Sequence, residues 1–156
     1  MAFALRPASS ADLDALTGLE ARAFAPADRF PRRNLRRLLA STSAWLGLCE
    51  SAGAAAGSVI VLFREGSRVA RLYSLAVDPA FAGRGVGRAL ISAAAEEARQ
   101  RGCLWMRLEV RASNVRAVAL YERSGFRLRD TKKDYYADGE AAQIYERALE
   151  GDPDLK

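Results

Sequence analysis

Residues 83–88 read Gly-Arg-Gly-Val-Gly-Arg, between a strand-like run and a long amphipathic stretch. Glycine lets a backbone approach an anion without a Cβ in the way. The first amides of a helix are unpaired donors at the positive end of its dipole. Three glycines with Arg84 and Arg88 at a helix start therefore describe a cradle for a pyrophosphate. The segment is not a Walker A loop, because no Gly-Lys-Ser/Thr follows, and its Gly-x-Gly-x-Gly spacing is not the dinucleotide fingerprint. The chain contains no histidine. That removes Ser-His-Asp and Cys-His chemistry and most zinc sites. Acid–base work falls to Glu, Asp, Tyr or Lys, and no metal is expected.

The cradle must be held by the elements on either side of it. Residues 69–77 read as a long strand with Val69, Arg71, Tyr73, Leu75 and Val77 on one face, ended by Asp78-Pro79. After the loop, Val86, Leu90, Ala94 and Ala98 recur every fourth position with Ile91 beside them, which predicts a helix stopped by Gly102. Residues 103–110 form the next strand. Leu104, Met106, Leu108 and Val110 point one way, so Glu109 points the other. A strand–helix–strand crossover of this kind makes its two strands parallel and is right-handed. Ser113 or Asn114 caps a following helix that Gly125 ends, and Tyr121, seven residues after Asn114, shares its face.

Upstream, residues 2–6 alternate as a short strand. A helix starts at Ser9-Ser10-Ala11-Asp12 and continues through Leu13, Leu16 and Leu19 to about Phe24. A second helix spans residues 31–40, and strands at 44–50 and 55–64 flank a turn at 51–54. Downstream, short strands at 126–128 and 143–149 flank a polar stretch.

The 156 residues, 50% hydrophobic and 28% charged, suit one domain over 1–156 with a sizeable core. No apolar run approaches the roughly 20 residues a membrane helix needs. No basic-then-apolar leader is visible, so a cytoplasmic protein without membrane contact is expected. Cys49 and Cys103 lie in apolar stretches and read as buried thiols. The net charge of +5 admits either nucleic-acid binding or a surface that attracts an anionic ligand. Arg29, Arg32, Arg33, Arg36 and Arg37 cluster on the second helix.

Three segments then agree. Residues 72–79 are Leu-Tyr-Ser-Leu-Ala-Val-Asp-Pro, residues 83–90 are Gly-Arg-Gly-Val-Gly-Arg-Ala-Leu, and residues 108–126 are Leu-Glu-Val-Arg-Ala-Ser-Asn-Val-Arg-Ala-Val-Ala-Leu-Tyr-Glu-Arg-Ser-Gly-Phe. Together they resemble the GNAT superfamily of acetyl-CoA-dependent N-acetyltransferases. The last segment is most similar to the ribosomal-protein-alanine N-acetyltransferase branch, and Tyr135-Tyr136…Asp138-Gly139-Glu140 resembles it more loosely. The resemblance is dense over residues 69–130 and thin before them.

The resemblance implies an α/β (α+β) fold: a mixed, mostly antiparallel sheet of about six to seven strands with about four helices, its central parallel pair splayed apart. It implies acetyl-CoA as co-substrate. The pyrophosphate would lie on Gly83, Arg84, Gly85, Val86, Gly87 and Arg88, and pantetheine along Leu75, Ala76 and Val77 with Asn114. Glu109 becomes the general base, against the plainer reading of a strand carboxylate that faces solvent or pairs with Arg107 or Arg111. Tyr121 becomes the general acid, against a packing aromatic, and Asn114 a cofactor contact, against a helix cap. The Val77 N–H is the expected oxyanion donor.

The family's loop usually begins with Gln or Arg where this chain has Ala82, so one side-chain contact is absent. The acceptor implied first is a protein or peptide N-terminal α-amine, the alternative being a polyamine, amino acid or amine toxin. A non-catalytic acetyl-CoA-binding or nucleic-acid-binding module is the reading from another class. The presence of both Glu109 and Tyr121 and the lack of aromatics among the cations argue against it. The arginine cluster borders the expected acceptor groove. A monomer or a homodimer is expected.

Overall fold

The computed structural model describes residues 2–149. Seven strands form one sheet: β1 (Ala4–Pro7), β2 (Ala44–Ser51), β3 (Ala54–Leu62), β4 (Val69–Val77), β5 (Trp105–Arg111), β6 (Arg127–Lys132) and β7 (Ala142–Ala148), in the order β1-β2-β3-β4-β5-β7-β6. Four helices accompany them: α1 (Leu13–Ala23), α2 (Arg32–Leu39), α3 (Val86–Gln100) and α4 (Val115–Arg123). Every pairing is antiparallel except β4 with β5. That is the mixed sheet with a central parallel pair that the resemblance implies.

Strand alternation sends side chains to two separate cores. Val59 and Val61 of β3 join Leu90, Ile91 and Ala94 of α3, together with Met106, Leu108, Tyr121 and Phe126. Ile60 points the other way, to Leu46 and Leu48 of β2, Leu16 of α1 and Leu35 of α2. The α3 stripe of Val86, Leu90, Ala94 and Ala98 is buried as its fourfold recurrence requires. Cys49 and Cys103 are both buried and free. The first core continues under β5 and β7, with Val110 and Tyr145 in it. The opposite face of these strands carries Arg107, Glu109 and Glu146 instead.

Local chemistry sets the ends of the elements. Ala52 (φ 51) and Gly53 (φ 80) form a two-residue β2–β3 turn, tighter than the four-residue turn expected, so β3 begins at Ala54. The Ser9 N–H donates to Asp12 Oδ2 at 2.8 Å, one half of the capping box that opens the first helical segment. Strand β6 runs to Lys132 rather than ending at residue 128. All six of its residues are exposed, so no burial period marks it in the sequence. No helix among the described residues is long and apolar enough to cross a membrane.

Candidate active site

Beyond β4, Asp78 shapes the descent into the glycine loop. Its Oδ1 accepts the Ala80 N–H at 2.9 Å and its Oδ2 the Arg22 Nε at 2.7 Å. These contacts hold its carboxyl below the usual range and tie α1 to the end of β4. Gly83 (φ 76) and Gly85 (φ 82) take left-handed backbone, Gly85 as the N-cap of α3. A Cβ at either would meet nothing within 4 Å, so the requirement there is conformational. Gly87 is glycine for another reason. A Cβ there would come within 2.8 Å of Leu120 Cδ2, so its bareness lets α3 sit against α4. The Ala89 N–H closes onto Gly85 O at 3.0 Å; the amides of Val86, Gly87 and Arg88 are the open donors of the helix start.

These amides face a cleft of about 690 Å³ that brings Gly83, Gly85, Val86, Gly87 and Arg88 together with Leu75 and Val77 of β4 and Asn114 and Tyr121 of α4. Two expected contributors lie elsewhere. Ala76 is 1% exposed and on the opposite face of β4 from Leu75 and Val77, and its backbone is spent on Ser58 of β3. Arg84 does not line the cleft; its guanidinium lies 5.8 Å from the Phe81 ring centre. Ala82 brings only a methyl group, its N–H donating to Pro79 O at 3.2 Å. Arg116 and Arg123 line the cleft as well, two cations that sequence reasoning missed. They sit seven residues apart on α4, the same spacing that linked Asn114 to Tyr121.

Tyr121 is 7% exposed and packs edge-on against Phe126, ring centres 5.8 Å apart. Burial, and then the neighbouring Tyr136, push its hydroxyl well above the ordinary value of 10.0, so it carries its proton at neutral pH. Asn114 Oδ1 accepts the Ala117 N–H at 3.2 Å. The cap and the cleft-lining position thus belong to the same residue.

Glu109 lies on the other side of the sheet, in a groove of about 500 Å³. Its partner is neither Arg107 nor Arg111. Arg107 pairs with Glu146 at 2.7 Å. Arg111 is shared among Asp28, Asp138 and Glu140 at 2.8–3.3 Å. Glu109 instead holds Arg71, Oε1 to Nη2 at 2.7 Å and Oε2 to Nε at 3.2 Å. The Tyr135 hydroxyl donates to Glu109 Oε1 and accepts from Arg71 Nη2, both at 3.3 Å. Burial, followed by Glu109, pushes the Tyr135 hydroxyl up. No local signal in the sequence announces this triad, since its members come from β4, β5 and the β6–β7 connection.

Between the two sites the parallel pair comes apart. β4 and β5 pair only over Val69–Trp105, Ala70–Met106 and Arg71–Arg107. Past that point β4 keeps β3 alone and β5 keeps β7 alone. The β3–β4 register also slips between Ile60 and Val61, passing over Tyr73. The Asp78 N–H donates to Ala56 O of β3 at 2.9 Å. Strand amides alternate in direction, so those of Val77 and Leu75 point away from β3 into the gap. Arg111, through Asp28, ties the turn before α2 to the β6–β7 connection, and Phe30 meets Tyr73 edge-on at 5.3 Å. Within the arginine cluster, Arg29 folds back onto Phe24 O and Ala21 O, and Arg32 pairs with Asp14. None of the five lines the cleft or the groove.

Comparison with known proteins gives the family. Residues 13–126 match the family described as Acetyltransferase (GNAT) family. The [Ribosomal protein bS18]-alanine N-acetyltransferase of Salmonella typhimurium is 44% identical over 80 residues, 51% of this chain and 52% of that protein. The N-alpha-acetyltransferase RimI of Mycobacterium tuberculosis is 33% identical over 150 residues, 92% of this chain and 90% of that protein. The chain spans about half the length of most of the curated relatives it matches. The crystal structure of the ribosomal-protein-S18-alanine N-acetyltransferase from Escherichia coli superposes with a TM-score of 0.83 at 30% identity, covering 95% of this chain and 94% of that one.

Proposed function

Since the chain belongs to the acetyltransferase (GNAT) family, we propose that it transfers an acetyl group from acetyl-CoA to the N-terminal α-amine of a protein or peptide. One observation carries this reading. Beyond Arg71 and Arg107 the parallel pair stops pairing, with the cleft holding Tyr121 on one face of the sheet and the groove holding Glu109 on the other. The cleft suits coenzyme A. Helix-start amides with Arg88, Arg116 and Arg123 suit a pyrophosphate. The inward amides of Leu75 and Val77 suit the pantetheine arm, which would lie along β4 as an added strand does. The choice of acceptor follows the relatives named for alanine N-acetylation of a ribosomal protein and for N-alpha-acetylation.

Acetyl-CoA supplies an activated thioester. Glu109, directly or through a water, takes a proton from the acceptor amine as the new carbon–nitrogen bond forms. The Val77 N–H donates to the carbonyl oxygen as that oxygen gains negative charge. Tyr121 gives its proton to the sulfur as the carbon–sulfur bond breaks, and burial guarantees that the proton is there to give. The test is thiol release from acetyl-CoA with peptides whose α-amine is free or blocked and with polyamines and amino acids. Turnover confined to free α-amine peptides supports the proposal. Turnover of the blocked peptides or of small amines alone overturns the choice of acceptor.

A further inference from the structure

The groove beside Glu109 is charged in a way the chemistry of proton removal does not need. Arg64, Arg71, Arg107, Arg129 and Lys132 line it, against Glu109 and Asp130. Glu146, just beside it, pairs with both Arg107 and Arg129, and Glu109 is taken up by Arg71. With Glu146 included, five cations meet three carboxylates. Arg64 and Lys132 are left with no ion-pair partner among the described residues. They stand on opposite walls, Arg64 just past the end of β3 and Lys132 at the end of β6. At about 500 Å³ the groove is in the range of sites that enclose small ligands. It lies on the face of the sheet from which an acceptor amine reaches Glu109, because the opposite face is filled by α3, α4 and the first core.

We propose that this groove receives the residues immediately following the acceptor amine and selects an acidic side chain there, with Arg64 and Lys132 as its specificity-determining cations. This rests on the peptide-amine reading above. Unpaired cations facing across a partly enclosed groove attract a carboxylate more strongly than the same charges on an open surface, and repel a basic side chain. The test uses peptides with a common alanine N-terminus and acidic, neutral or basic second and third residues, turned over by the wild type and by Arg64→Gln/Lys132→Gln. The expected result is a kcat/KM for the acidic peptide about tenfold above that for the basic one at low salt, collapsing toward parity at high salt and in the double variant. Equal turnover of all three peptides by the wild type overturns this proposal alone. Turnover of no peptide, with small amines accepted, overturns the peptide-amine reading and this proposal with it. A variant that keeps the acidic preference removes Arg64 and Lys132 from the selection.

Discussion

The guanidinium of Arg71 on β4 grips the carboxylate of Glu109 on β5 with two nitrogens, at 2.7 and 3.2 Å, across the position where the parallel strands stop pairing. The carboxylate is thereby fixed just past that position, with the Tyr135 hydroxyl donating to it as a third contact. With Arg71 42% exposed, the pair adds little to stability, about 0.2–1 kcal/mol. Its consequence lies in orientation.

Arg71→Met is therefore expected to lower kcat/KM by about tenfold, on the scale of a displaced catalytic group, while leaving the unfolding midpoint nearly unchanged. Arg71→Lys should fall between, because an ammonium cannot reproduce the two-pronged grip. Steady-state kinetics alongside thermal unfolding measures both. Full activity in Arg71→Met would show that Glu109 needs no such support.

Tyr121→Phe removes only a hydroxyl from a buried ring. The expected loss is about 10²–10⁴-fold in kcat with coenzyme A affinity kept. Because burial raises the hydroxyl above its ordinary value of 10.0, the wild type holds this proton through the mildly alkaline range. The ratio of wild-type to variant kcat should accordingly stay flat from about pH 7 to about pH 9. A ratio that falls across that range would mean the hydroxyl ionises there.

Gly85→Ala places a Cβ at φ 82. No atom obstructs it, so the cost is that of a left-handed backbone, about 1–2 kcal/mol. The loop relieves this by turning its amides away. Calorimetry should find weaker coenzyme A binding, and unfolding a comparable loss of stability. Unaltered affinity would separate the loop backbone from cofactor binding.

Asp12 accepts two nitrogens of Arg6, at 2.8 and 2.9 Å, which hold its carboxyl at about 2 against an ordinary 3.8. A depressed folded value means stability that is present above the ordinary value and is lost as pH falls through about 2. Discounted for the half-exposed guanidinium, the contribution is about 1 kcal/mol. Urea unfolding of Asp12→Asn should show that deficit at neutral pH and only a small remnant of it near pH 2. A deficit that persists undiminished in acid would point to packing instead.

What the chain's local order determined follows from interactions that close within a few residues. Glycines at 83 and 85 announce a loop only they can form, the fourfold recurrence from Val86 announces the helix behind it, and Asn114 caps α4 as its side chain permits. Alternation along β5 already turned Glu109 away from the core, and its spacing from Asn114 put Tyr121 on the cleft face of α4. What only the tertiary structure decided depends on contacts between distant segments. Arg71 and Glu109 are 38 residues apart, and the strand's own Arg107 and Arg111 were the partners the sequence offered. Arg116 and Arg123 reach the cleft only because α4 is laid against α3 through Gly87. The limit of β4–β5 pairing, the exposed strand β6 and the charge of the groove between them leave no period in the sequence. Pairing register and burial are settled by how whole faces pack, and one chain carries no local energy term that states them in advance.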